Sequence, residues 1–273
     1  MKDCREEWYD ATSRVAVTFV DVATAAQDLA RAHLSGPTSA HCLARALAAA
    51  ALLGSEVSEA DEVVSVQMKC QGPLGGFNVE CAADGALRGY TERKTLDGFD
   101  GFGTFDDRKV IGQRQVQVTR SVPGRIVSQG ISSSLDGFLA GSLQRRAAIY
   151  LEASVTDEVE VLEARGMLVE ALPDAAESAV GQFVTRPAEL AKPGWLAVSP
   201  RTLLGRLGLG KAELRRTSPL RFACRCSPAR AAAMLGALGP VERSALPASI
   251  DVTCHMCGRT FTVNTGFLKE AEK

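Results

Sequence analysis

Between Cys224 and Cys257 the chain carries a Cys-x-Cys pair, 27 intervening residues and a Cys-x-x-Cys pair, so four of its eight cysteines fall within 34 residues. Cys224 and Cys226, two apart on an extended segment, project their sulfurs to one side. Cys254 and Cys257 flank a knuckle turn that lets both thiolates reach one ion. Four thiolates form the closed tetrahedral shell that zinc favours in structural sites. The 53 residues from Arg221 to Lys273 hold few large apolar side chains, too few to fold securely without a staple. Zinc bound by such thiolates can supply about 10–16 kcal/mol of folding free energy. We therefore expect one zinc ion on Cys224, Cys226, Cys254 and Cys257, with His255 in the knuckle facing solvent.

Such a site can be a permanent clip or a sensor. Arg221, Arg225, Arg230 and Arg259 lie near the thiolates in sequence, and cationic neighbours favour the reactive thiolate. Each close pair could also oxidise without the other pair, which would expel the metal and remove the support of the tail. The spacing permits a sensor without requiring one.

Upstream the pattern is that of an α+β protein. Two helices over about Thr24–Gly54 break at Ser35-Gly36-Pro37, where Pro37 suits a first helical turn. Strands follow over Val63–Cys70, Phe77–Cys81 and, across the Asp84-Gly85 turn, Ala86–Tyr90. Gln113–Thr119 and Ile126–Ser128 form a further hairpin around Pro123-Gly124. Ser133–Tyr150 reads as largely helical, and Val155–Leu162 and Met167–Leu172 as strands meeting at Arg165-Gly166. The expected organisation is a mostly antiparallel sheet domain with helices over residues 1–175, a metastable linker with short helices over 176–220, and a small zinc-binding domain over 221–273. In that tail Ser227-Pro228 starts a helix, and Ile250–Thr253 and Phe261–Val263 flank the knuckle.

Composition narrows the function. An apolar share of 46% with 23% charged residues fits a folded chain. The start, MKDCREEWYD, lacks the layout of a secretory signal, and the longest apolar run, Ala46–Leu53, cannot span a bilayer. We expect a cytoplasmic protein, where clustered thiols favour metal or redox chemistry over permanent disulfides. Gly72-Pro73-Leu74-Gly75-Gly76 lacks the Lys-Ser/Thr of a phosphate loop. His33 and His41 have no acid–base constellation around them, and Cys4, Cys42, Cys70 and Cys81 read as packed thiols. No nucleophile–base pair emerges, so the expectation is a protein that is not an enzyme. Residues 201–230 carry eight basic side chains and one acid, a net +7 in a chain of net −1. That segment could face nucleic acid, yet Phe222 is its sole aromatic, a poor supply for base stacking.

The tail resembles that of the redox-regulated heat-shock chaperones, the heat-shock protein 33 family. Phe222-x-Cys224-x-Cys226-Ser227, a helix ending at Leu238-Gly239, and Val252-x-Cys254-x-x-Cys257-Gly258 carry the likeness. Gly72-Pro73-Leu74-Gly75, Arg88-Gly89-Tyr90 and Leu172-Pro173-Asp174-Ala175 extend it upstream; Leu143 stands where the family usually has an acid. The resemblance implies a holdase that binds unfolded client proteins without ATP and prevents their aggregation under oxidative stress. It implies zinc on the four reduced cysteines, and, on oxidation, disulfides Cys224–Cys226 and Cys254–Cys257, zinc release, linker unfolding and dimerisation. The alternatives are a constitutive zinc-binding structural protein and a nucleic-acid- or ribosome-associated one.

Overall fold

A computed structural model describes residues 3–101, 106–178, 181, 194 and 198–266. The first of its two units runs to Ala223. Helix α1 (Ala23–His33) and helix α2 (Pro37–Leu53) are joined by Leu34, Ser35 and Gly36. In α2, fourteen of seventeen residues are buried, most of them alanine or leucine. A helix apolar on all sides must be covered on all sides. It is: α2 packs on strands of two different sheets.

The strands are β1 (Cys4–Asp10), β2 (Val15–Asp21), β3 (Val63–Cys70), β4 (Gly76–Ala82), β5 (Ala86–Thr91), β6 (Arg114–Val122), β7 (Arg125–Ser132), β8 (Arg146–Val155), β9 (Val161–Ala171), β10 (Glu213–Pro219) and β11 (Arg221–Phe222). One sheet has the order β10-β1-β2-β9-β8 and the other β11-β5-β4-β3-β6-β7. All pairings are antiparallel except β11 with β5. The fold is thus α+β with mostly antiparallel sheets.

A main apolar cluster surrounds α1 and α2, including Leu29, Leu43, Leu47 and Leu52 with Val66, Val79, Leu87 and Leu168. A second cluster lies on the other face of the five-stranded sheet. There Trp8, Val17, Phe19, Tyr150, Met167 and Val169 meet Leu203, Leu204, Leu207 and Leu209. Leu203 and Leu204 belong to helix α3 (Pro200–Arg206), which Ser199 caps by accepting a hydrogen bond from the Thr202 N–H.

Several expectations need correction. Ser133–Tyr150 is helical only over Leu135–Gly137 and Phe138–Ser142; from Arg146 it is strand β8. Arg165-Gly166 is not a turn but the interior of β9, and the β8–β9 turn lies at residues 156–160. A glycine sits there because a Cβ on Gly166 would come within 2.9 Å of the Leu52 side chain of α2. Finally, the segment expected to be a linker with short helices also contributes the strand β10, paired along β1. Much of residues 179–197 lies outside the described residues.

The second unit runs from Cys224. Arg221 and Phe222, expected in the tail, form β11 in the first unit instead. The second unit contains helix α4 (Pro228–Gly236), helix α5 (Pro240–Ser244) and the hairpin β12 (Ser249–Thr253) and β13 (Thr260–Asn264). Its buried side chains, among the described residues, are Ala231, Cys257, Val263 and Thr265.

Candidate metal centre

Both cysteine pairs are placed by local backbone logic. Cys224 and Cys226 lie between β11 and α4, whose first turn is fixed by Pro228 and by Ser227 accepting from the Arg230 N–H. Cys254 leaves β12. Its N–H donates to the Arg259 carbonyl at 2.8 Å, while its own carbonyl accepts from the N–H groups of Cys257 and Gly258. Gly258, at φ 71°, takes the left-handed conformation that closes this knuckle and sends the chain into β13.

These two turns bring the four sulfurs within 4.8 Å of one another. Cys224 Sγ stands 3.8 Å from Cys254 Sγ, and Cys226 Sγ 3.4 Å from Cys257 Sγ. A tetrahedral zinc–thiolate shell with bonds of ~2.3 Å has sulfur–sulfur edges of ~3.8 Å, so the cluster fits such an ion. The four sulfurs expected to gather do gather, and His255, exposed in the knuckle, stands outside the cluster.

The electrostatics point the same way. Burial first, and then the neighbouring sulfurs, push the Cys226 thiol far up from its ordinary value. Burial also raises Cys257, against the opposing pull of the Arg259 backbone N–H. Crowded sulfurs cannot all ionise beside one another without a cation, and a divalent metal resolves that conflict. Burial, and not an arginine side chain, is the leading influence on both thiols.

The remaining candidates are scattered. His33 is buried, with Nε2 2.8 Å from the Gly89 carbonyl. Burial and then Arg45 hold His41 down to about 4. Burial pushes Cys42 up to about 12 and Cys81 to about 11, and raises Cys4 and Cys70 as well. These four thiols are spread over β1, α2, β3 and β4. Four of the eight basic residues of the segment are engaged. Arg216 pairs with Glu7 at 2.6 Å and Arg221 with Asp84, Arg201 lies over the Trp8 ring at 4.8 Å, and Arg215 over Tyr9 at 5.6 Å. Sequence reasoning did not anticipate β1 as the partner of this segment. The clue was compositional: Glu6, Glu7, Trp8 and Tyr9 are the acids and rings that arginines seek.

Residues 8–264 match the family model described as Hsp33 protein. A 33 kDa chaperonin of Thermus thermophilus is 29% identical over 262 residues, covering 86% of this chain and 76% of that protein. One from Cyanothece sp. is 31% identical over 255 residues, covering 84% and 82%. A crystal structure of the 33 kDa chaperonin, a heat shock protein 33 homolog, from Thermotoga maritima superposes with a TM-score of 0.84 over 99% of this chain and 97% of that one, at 19% identity. That likeness is one of fold. Among the described residues no helix is long and apolar enough to cross a membrane.

Proposed function

The chain belongs to the Hsp33 protein family, and from that premise we propose that it is a redox-regulated, ATP-independent holdase of the cytoplasm. The observation that carries the reading is the convergence of Cys224, Cys226, Cys254 and Cys257 in a unit with almost no apolar core among its described residues. When bound, zinc supplies the cross-link that such a core would otherwise provide.

In the reduced state the four thiolates hold the metal and the second unit stays folded. Oxidation joins Cys224 to Cys226 and Cys254 to Cys257. With peroxide as oxidant, each thiolate pair gives up two electrons, and one peroxide takes them together with two protons from the solvent and becomes two waters. The knuckle and the Cys-x-Cys turn then lose their shared centre. Sulfurs on the edge of a tetrahedral zinc shell stand ~3.8 Å apart and a disulfide is ~2.05 Å long, so each pair must rearrange to close its own bond.

The loss spreads backwards along the chain. Ala223, whose N–H donates to the Leu87 carbonyl, is the last residue before Cys224, and β11 and β10 precede it. Release of this segment and of α3 uncovers the face carrying Trp8, Val17, Phe19, Tyr150, Met167 and Val169, together with Leu203, Leu204, Leu207 and Leu209. An exposed apolar surface of that kind holds unfolded chains, and oxidised molecules can bury it against one another as dimers. The chain has no catalytic role in this reading. Nucleic-acid binding is disfavoured because four of the segment's arginines, Arg201, Arg215, Arg216 and Arg221, already have acidic or aromatic partners.

Light scattering of a heat-unfolding client tests the proposal. Suppression by the peroxide-treated protein alone, with mass spectrometry assigning the two short-range disulfides, is the expected result. No suppression by either form sinks the holdase reading. Zinc retained under peroxide makes the site a constitutive clip.

A further inference from the structure

Strand β10 is held in an unusual way. It pairs antiparallel with β1 from Cys4↔Pro219 to Tyr9↔Glu213, at the edge of its sheet. Six of its seven side chains are exposed and the seventh, Ser218, is half-buried. The buried anchors Ala212 and Leu220 lie just outside it on either side. Within the strand itself, backbone pairing and two arginines do the holding. Arg216 meets Glu7, and Arg215 covers the Tyr9 ring.

Beside this strand lies a cleft of about 290 Å³, whose lining includes Glu7, Tyr9, Glu56, Glu170, Arg145 and Arg215. Arg145 is tied to both Glu56 and Glu170. With β10 in place, Glu7, Glu56 and Glu170 have four guanidinium groups about them, those of Arg5, Arg145, Arg215 and Arg216; with β10 withdrawn, the three carboxylates keep two, Arg5 and Arg145. The cleft is then short of positive charge, and Glu7 has lost the partner it had in Arg216, keeping only Arg5 at 3.3 Å.

We infer that β10 is the chain's own occupant of a polypeptide-binding edge, and that the vacated β1 takes an extended, basic segment of the unfolded client as an antiparallel strand. The inference rests on the holdase reading, because the edge opens only if the segment before Cys224 is released. A bare edge strand presents unpaired N–H and C=O groups that any extended chain can satisfy, whatever its sequence. Preference comes from the side chains, and at this edge it favours arginine or lysine over the cleft and Tyr9. The apolar face of the second cluster would then hold a client's hydrophobic residues, while the β1 edge holds its backbone and its cations. The two contacts are chemically different and separable.

A labelled nonapeptide with the sequence of residues 212–220, AELRRTSPL, tests this by fluorescence anisotropy with the full chain. The peptide should bind the oxidised protein and not the reduced zinc form, whose own β10 fills the edge. A peptide carrying R215E and R216E should bind about tenfold more weakly, because two favourable cross-strand contacts become repulsive. Hydrogen exchange of the oxidised protein should show the β1 amides that face β10, alternate along the strand, opened by oxidation and protected again by an unfolded client, while those bonded to β2 stay protected. If the oxidised protein suppresses aggregation but binds both peptides equally or neither, or leaves those amides unprotected by client, the edge proposal is overturned and the holdase reading stands. Protection of the same amides without client, accompanied by dimer formation, assigns the edge to a second copy and also overturns it. Failure of the oxidised protein to suppress aggregation removes the holdase reading and this one with it.

Discussion

The two units stay folded for different physical reasons. The first buries α2 on all sides and builds apolar clusters on both faces of one sheet. The second buries three apolar side chains and a threonine among its described residues, and one of the three is Cys257 of the four-sulfur cluster. Burial is spread over dozens of side chains and fails gradually when one is lost. A four-thiol centre is concentrated, and fails completely when one ligand is oxidised. A protein meant to respond to oxidant needs the second kind of support in one place and the first kind elsewhere. The comparison makes the position of the cysteines, rather than their number, the informative fact.

The largest effect expected from this contrast follows metal removal. Stripping zinc with a chelator should cost the second unit about 10 kcal/mol of folding free energy. In hydrogen exchange, β12 and β13 should lose their protection while α2 keeps its own. A hairpin that remains protected without metal would break the comparison outright. The converse experiment is Leu47→Ala in α2, a fully buried leucine. It should destabilise the first unit by about 2–5 kcal/mol, read as a lower denaturant midpoint, while zinc release in a colorimetric chelator titration stays unchanged.

The same distinction explains what could be read in the sequence. Metal ligation demands particular residue types at particular spacings, so Cys224, Cys226, Cys254 and Cys257 were legible at once. Helices α1 and α2 were legible because Gly36-Pro37 punctuates them. Strand β8 was not: Arg146–Tyr150, RAAIY, is buried over four consecutive residues, and a strand covered on both faces loses its alternation. Gly166 misled in the opposite sense, since a glycine demanded by the close approach of Leu52 looks like a turn. Strand β10 was invisible for a third reason. ELRRTSP carries no apolar stripe, and its strand character comes from its partner β1 rather than from burial. The fold was legible where the residues themselves carry the reason, and hidden where tertiary packing supplies it.

A mid-sized effect probes the first unit through pH. His41 has its imidazole held down to about 4 by burial and then by Arg45, with Asp107 pulling the other way. The unfolded chain, with an ordinary imidazole near 6.5, takes up a proton first. The contribution to stability is therefore fully present above about pH 6.5 and is lost progressively as pH falls from there to about 4, on the order of 2 kcal/mol of it by pH 5. In denaturant melts at pH 7 and pH 5, the wild type should lose more stability than His41→Gln. Equal losses would show that this histidine is not coupled to the packing of α2.

The smallest effect is the most discriminating, because it asks where the boundary between the two kinds of support lies. The units divide at Ala223/Cys224, yet β10 belongs by contact to the first and by its lack of burial resembles the second. Arg216 and Glu7 are partly exposed, so Arg216→Ala should cost no more than about 1 kcal/mol. That loss should not be shared by the whole unit. It should appear as faster exchange of the Glu213–Ser218 amides at unchanged α2 protection, and as a several-fold faster onset of holdase activity after peroxide. In a double-mutant cycle with Glu7→Gln the losses should fall short of adding by the one contact the two residues share, while Glu7→Gln costs more by itself because it also removes the 3.3 Å pair with the buried Arg5. If Arg216→Ala instead lowers protection of α2 and β10 together, β10 is an ordinary part of the first unit's core. The switch would then have to stop at the cysteines.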